Sequence, residues 1–181
     1  MREGPLRVPA RASEGPGLID LDALAARTPA PGGGAAAAWA VGIAAALVEM
    51  GAAFADQPTE AAAALRARAA ELADAELHAY APVLEAQRGG DAEGVASALS
   101  RAAASPLNIA RAASEVAELG ASVVASGKEA LKGDALVGVV LAEAACRAAG
   151  NLVRINLSGV PDDPRLAELS GLEQRAAAAL R

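Results

Sequence analysis

The chain has 181 residues, a net charge of −6 and a pI near 4.9, which fits one domain and excludes the basic stripe that electrostatic nucleic-acid binding needs. A single cysteine, Cys146, and a single histidine, His78, exclude an internal disulfide and argue against a metal site. Apolar residues make up 54% but aromatics only 2%; the apolar mass is chiefly Ala, the strongest helix former and a poor strand residue.

In chain order, residues 1–17 are rich in Gly, Pro and Arg and read as a flexible arm, with one helical domain over 18–181. Leu18 to Arg27 suits a short helix. Thr28-Pro29-Ala30-Pro31-Gly32-Gly33-Gly34 stops it and opens a turn expected to use glycine-only backbone angles. Ala35 to Asp56 is apolar nearly all round and reads as the central helix. Gly34 to Ala55 is also long enough to span a bilayer, but it carries Glu49 and owes its hydropathy to Ala, so a buried bundle helix is expected and no membrane.

Thr59 to Gln87 reads as a second long helix that Pro82 kinks or splits, closed by Arg88-Gly89-Gly90. Asp91 to Ala104 is a third. Ser105-Pro106 restarts a fourth, with Ser as N-cap and Pro at the first position, running to about Ser126. Asp134 to about Leu157 is a fifth, with Asp134 as its plain N-cap. Arg165 to Arg181 is a last amphipathic helix. Short links favour antiparallel neighbours. The expected fold is an all-α up-and-down antiparallel bundle of about five long helices plus short terminal ones. A core of alanines gains little per residue from burial, so a homodimer through the long Ala-rich helices is expected.

Few residues suggest chemistry. Gly32, Gly33 and Gly34 open a buried helix, where free N–H groups can hold a carboxylate; the plainer reading is a tight turn. Asp74 and His78 stand at i and i+4 on one helical face, a carboxylate–imidazole pair for acid–base work or, more plainly, a solvated pair. Tyr80, six residues from Asp74, points about 120° away from it. Asn156 closes the fifth helix in an apolar run and needs partners there. Asp134 and Asn156 are separated by about 33 Å of helix and meet only if a second subunit brings them together. Lys128, Lys132 and Arg154 are the nearest cations.

Taken together these segments resemble a known family. Leu21-Asp22-Ala23-Leu24-Ala25 precedes Pro31-Gly32-Gly33-Gly34 and an Ala-rich helix reaching Glu49-Met50. Asp74-Ala75 precedes Ala79-Tyr80, Ser105-Pro106-Leu107 opens one helix, and Gly133-Asp134-Ala135 opens another that ends in Asn151-Leu152-Val153-Arg154-Ile155-Asn156-Leu157. Over roughly residues 18–165 this is similar to the cyclodeaminase/cyclohydrolase family, comprising the C-terminal domain of formiminotransferase-cyclodeaminase and stand-alone methenyltetrahydrofolate cyclohydrolases. The resemblance implies an all-α homodimer acting on a tetrahydrofolate derivative, without metal and with no permanently bound cofactor; the single cysteine and histidine fit a cytoplasmic protein. Asp74, Tyr80, Asp134 and Asn156 are then the catalytic candidates. Gly32, Gly33 and Gly34 bind substrate, and Lys128 holds the folate glutamate tail. Ala35 stands where the family usually has Ser. A non-catalytic bundle used for binding or assembly is the alternative.

Overall fold

The computed structural model describes residues 19–127 and 132–181. The expected arm over residues 1–17 and the folate-tail candidate Lys128 lie outside the described residues. Eight helices are described: α1 (Leu21–Ala25), α2 (Gly33–Phe54), α3 (Glu60–Ala79), α4 (Ala81–Gly89), α5 (Ala92–Ala102), α6 (Ala104–Ser126), α7 (Lys132–Asn156) and α8 (Pro164–Ala178). Among the described residues there are no strands.

The boundaries follow local chemistry. Asp20, Asp91 and Asp163 each cap a helix, accepting from the N–H of Ala23, Glu93 and Arg165, donors that the first turn otherwise leaves unpaired. Pro82 has no N–H to give a continuing helix, and its ring would press on the carbonyl four residues back. It therefore splits the predicted second helix at Tyr80 and sits in the first turn of α4. Gly90 ends α4 at φ +70°, an angle that favours glycine.

Two expected caps are corrected. Ser105 is not the N-cap of its helix: α6 already begins at Ala104, with Ala103 at the cap. Asp134 is the third residue of α7, not its cap. The turn angles are corrected too. Gly90 is the sole described glycine at positive φ, and Gly32 is extended at φ −134°. The three glycines are therefore not needed for backbone angles.

Side-chain pairs fix the directions. Arg66 reaches Glu49 at 2.7 Å, so α3 runs antiparallel to α2. Arg68 reaches Glu115 at 3.0 Å, so α6 runs antiparallel to α3. The Cys146 thiol donates to the Ala110 carbonyl at 3.6 Å, and a Cβ on Gly120 would meet Val139, so α7 runs antiparallel to α6. α8 lies along α6, tied by Arg111–Glu168 and Arg175–Glu118. The core is thus α2, α3, α6 and α7, with α2 and α6 pointing one way and α3 and α7 the other. Nearly all of its buried side chains are Ala and Val, with Leu107, Ile109, Leu157 and Leu169 the largest.

Small residues set the spacing. A Cβ on Gly138 would lie 2.9 Å from the Ala44 carbonyl oxygen, and one on Gly51 2.9 Å from the Ala135 Cβ. Backbones that close gain dispersion contacts that longer side chains would hold apart. Helices α4 and α5 stand aside as a hairpin with a core of its own, Val83, Ala98 and Ala102. Arg165 fastens that hairpin to the start of α8. Its guanidinium donates to the Ser100 carbonyl at 2.6 Å, the Ser100 hydroxyl at 2.8 Å and Asp163 at 2.7 Å.

Helices α2 and α7 are long and apolar enough to cross a membrane by length and composition. In the structure both are built into the core and pack against each other.

Candidate functional site: a carboxylate between two helix starts

Helix α3 buries Ala62, Ala69 and Ala73. The next step of that stripe, three residues on, is Glu76, a carboxylate where the period demands a core residue. Its Oε2 accepts a hydrogen bond from the Ser105 hydroxyl in the first turn of α6. Its Oε1 lies against Gly34 at the start of α2, so close that a Cβ on Gly34 would overlap the carboxyl group. The third glycine of the Pro-Gly-Gly-Gly turn is therefore required to make room for Glu76. Burial pushes the Glu76 carboxyl above its usual range, partly opposed by the Ser105 hydrogen bond; desolvation penalises the anion, and a donor to the anion favours it. Tyr80, four residues on and half exposed, shares its side of the helix.

Two hollows flank this knot. A cleft of about 430 Å³ runs between α2 and α3, with Trp39, Gly42, Ile43, Arg66 and Asp74 among its walls. A cavity of about 390 Å³ lies between α3, α6 and the α4–α5 hairpin, lined by Leu72, Ala79, Arg101, Ser105 and Asn108 among others. A larger groove of about 720 Å³ between α7 and α8 carries Arg147, Asn151, Arg154 and Glu173. Its charges neutralise each other in pairs, Arg154 with Glu173 at 2.5 Å and Arg147 with Glu143 at 3.0 Å. It is a weaker candidate than the hollows beside Glu76, because its charged side chains already satisfy each other and leave uncharged groups such as Asn151 to fix a ligand.

The sequence candidates are divided among these places. Gly34 touches the knot, whereas Gly33 is exposed with open space where its Cβ would stand, and Gly32 lies near only the Pro29 carbonyl. No side chain caps the start of α2. Asp74 lines the outer cleft and is exposed; it forms no hydrogen bond with His78, which is also exposed. Tyr80 groups with Glu76 rather than with Asp74. Because α7 is antiparallel to α2, Asn156 ends at the Gly34 end of the bundle and Asp134 at the opposite end. The structure therefore does not bring Asp134 to the other candidates within one chain. Sequence reading missed Glu76, which sits in a run of charged residues, and Ser105, read only as a cap. The signal available was the Ala62–Ala69–Ala73 stripe, whose continuation is Glu76. The free thiol of Cys146 is buried and pushed up to about 12, which makes it an inert packing group.

The fold is therefore an all-α antiparallel bundle with a polar knot at one end. The formiminotransferase-cyclodeaminase family model matches residues 20–172, and the chain belongs to that family. Among solved structures it is similar to the formiminotetrahydrofolate cyclodeaminase of Thermotoga maritima, with a TM-score of 0.75 and 26% identity over 88% of this chain and 92% of that one. No curated protein matches it.

Proposed function

We propose that this chain is an enzyme of folate one-carbon metabolism, a methenyltetrahydrofolate cyclohydrolase or formiminotetrahydrofolate cyclodeaminase. The observation that carries this reading is the likeness to the Thermotoga cyclodeaminase along nearly the whole of both chains. In one reaction water adds to the methenyl carbon and the ring opens. In the other N10 closes on the formimino carbon and ammonia leaves. Both need proton transfer at nitrogen and a dry, polar-lined pocket, and no resident cofactor. Asp74, Tyr80 and Asn156 are side chains of suitable type at the Gly34 end. Titration with 5-formyltetrahydrofolate, a stable analogue of both substrates, tests the reading by calorimetry. Saturable one-to-one binding is expected, and no heat of binding up to millimolar ligand overturns it. Ala35, buried beside Gly34 without a hydroxyl, favours one alternative, a family member that binds without turnover; saturable binding with no methenyl hydrolysis would select it.

We also propose a cytoplasmic homodimer, now built on α7. Helix α2 leaves Ile43, Met50 and Phe54 exposed but spread over its length, whereas α7 gathers Leu136, Val137 and Val140 within five residues, exposed at 47%, 50% and 48%. Asp134 and Asn156 are centred on position 145, next to Ala144 and Ala148, both exposed and small. An antiparallel pairing of two α7 helices about that point sets Asp134 near Asn156 of the partner subunit. Light scattering tests this: a dimer that Ala148→Glu converts to monomer is expected, and a wild-type monomer at micromolar concentration overturns it.

A further inference from the structure

The cavity between α3, α6 and the α4–α5 hairpin has the composition of a ligand site, an apolar lining with a few polar groups. Leu72, Ala79 and Ala98 supply apolar wall. Three polar side chains line it, and each has a defined state. Ser105 donates its hydroxyl proton to Glu76, so its oxygen lone pairs remain available to the cavity. Asn108 accepts from the Arg111 guanidinium at 2.6 Å through Oδ1. Arg111 is itself held by both carboxylate oxygens of Glu168, at 2.6 and 2.9 Å. A guanidinium has only donors, so the Asn108 oxygen must face it and the amide N–H groups are left to donate elsewhere. Arg101 donates to the Ser97 hydroxyl at 2.6 Å, and among the described residues no carboxylate pairs with it. The cavity thus holds a proton acceptor, an uncharged donor and a free positive charge.

We infer that this cavity is the reaction chamber, that Ser105 relays a proton between the reacting one-carbon centre and Glu76, and that Arg101 holds the carboxylate end of the ligand. The inference rests on the folate reading above and deepens it. In the hydrolytic reaction, a C–O bond forms between water and the cationic methenyl carbon. Water's surplus proton passes to Ser105 Oγ as the serine proton passes to Glu76 Oε2. The proton returns through Ser105 to the departing nitrogen as the C–N bond breaks, and the hydroxyl proton of the adduct leaves to solvent, which yields the formyl group. In the ring-closing reaction N10 forms a C–N bond to the carbon of the protonated formimino group, the same relay carries the N10 proton to the formimino nitrogen, and that nitrogen departs as ammonia as its C–N bond breaks, leaving the methenyl cation. Glu76 is the proton reservoir acting through Ser105; Ser105 and Arg101 touch the ligand. Among the described residues, α2 sets Gly34 against Glu76 and α6 sets Ser105 against it, Asp74 and His78 on its own helix are exposed, and the charged group that shares the cavity is Arg101 of α5. A carboxyl raised by burial holds its proton closer to neutral pH, which suits a group that must both take and give it.

Steady-state hydrolysis of methenyltetrahydrofolate by the full chain tests this, followed by loss of the methenyl absorbance across pH. In the wild type, kcat falls on the acid side as Glu76 becomes protonated. Glu76→Gln is expected to lower kcat by about 100-fold or more and to abolish that acid limb. Ser105→Ala, a small change that spares the fold, lowers kcat about 10-fold or more by the same principle and leaves KM nearly unchanged. Arg101→Gln shows the opposite split, with KM raised and kcat kept. Full kcat with an unmoved acid limb in either Glu76→Gln or Ser105→Ala overturns the relay. An unchanged KM in Arg101→Gln overturns the assignment of the cavity. A wild type that neither binds 5-formyltetrahydrofolate nor hydrolyses the methenyl compound overturns the folate reading, and the relay with it.

Discussion

Glycine does the same steric work in two regions of this bundle and serves two different ends. In the middle, Gly51, Gly120 and Gly138 let α2, α6 and α7 approach until only backbone and aliphatic atoms lie between them. At one end, Gly34 lets α3 approach α2, but the group that enters the gap is the Glu76 carboxylate. Mid-bundle, the space becomes packing, which gains dispersion energy and excludes water. At the end it becomes a polar contact whose charged form is disfavoured by burial. Close packing of helices by small residues is thus a structural device in one place. In the other it is the means of holding a carboxyl group against Gly34 and Ser105.

The largest effect is expected from filling the mid-bundle gap. In Gly138→Val the added side chain meets the Ala44 carbonyl, a backbone atom that cannot turn aside. Overpacking of this kind costs about 1–3 kcal/mol, or roughly 3–10 °C in a domain of this size, read by thermal circular dichroism. An unchanged melting temperature would show that α2 and α7 are not so close. Gly34→Ala should cost less, about 1 kcal/mol, because the obstructing atom is the end of a flexible Glu side chain that can swing out. Gly33→Val next to it faces open space and serves as the contrast. If both variants melt alike, Gly34 is not reserved for Glu76.

The smallest effect is on stability against pH. The folded-state value of Glu76 is raised. Its protonation therefore stabilises the fold fully below the ordinary carboxylate range, and that contribution is lost as pH rises through the raised value. Gln at this position stays neutral at every pH. The melting temperature of Glu76→Gln should therefore gain on the wild type as pH climbs from about 4 to about 7. A gap that narrows instead would mean that the carboxylate is better solvated in the fold than its contacts imply.

The helices of this protein were legible because they depend on local chemistry. Ala content, the stop at Pro29 to Gly34, the break imposed by Pro82 and the Gly90 end each act within a few residues. The capping errors at Ser105 and Asp134 came from the same locality. Both are residue types that favour caps, but α6 starts at Ala104 directly after α5 and α7 starts at Lys132, so Ser105 lies second and Asp134 third in its helix. The candidate site was only half legible. The Pro-Gly-Gly-Gly turn marked the right place for the wrong reason, since backbone angle is not what its third glycine supplies. Asp74 and Glu76 look alike in sequence, two carboxylates in one charged stretch; a rotation of about 200° around the helix separates them, and one meets solvent while the other meets Gly34 and Ser105.

Helical class, the order of the elements and their breaks follow from residue type along the chain, because propensity, proline and glycine act through bonds and near neighbours. Helix packing sets which carboxylate is held, where Ser105 donates its proton and which glycine is indispensable. Those outcomes depend on contacts between residues 29 and 42 positions apart along the chain, and such contacts exist only once three helices have packed at the distance their small side chains permit.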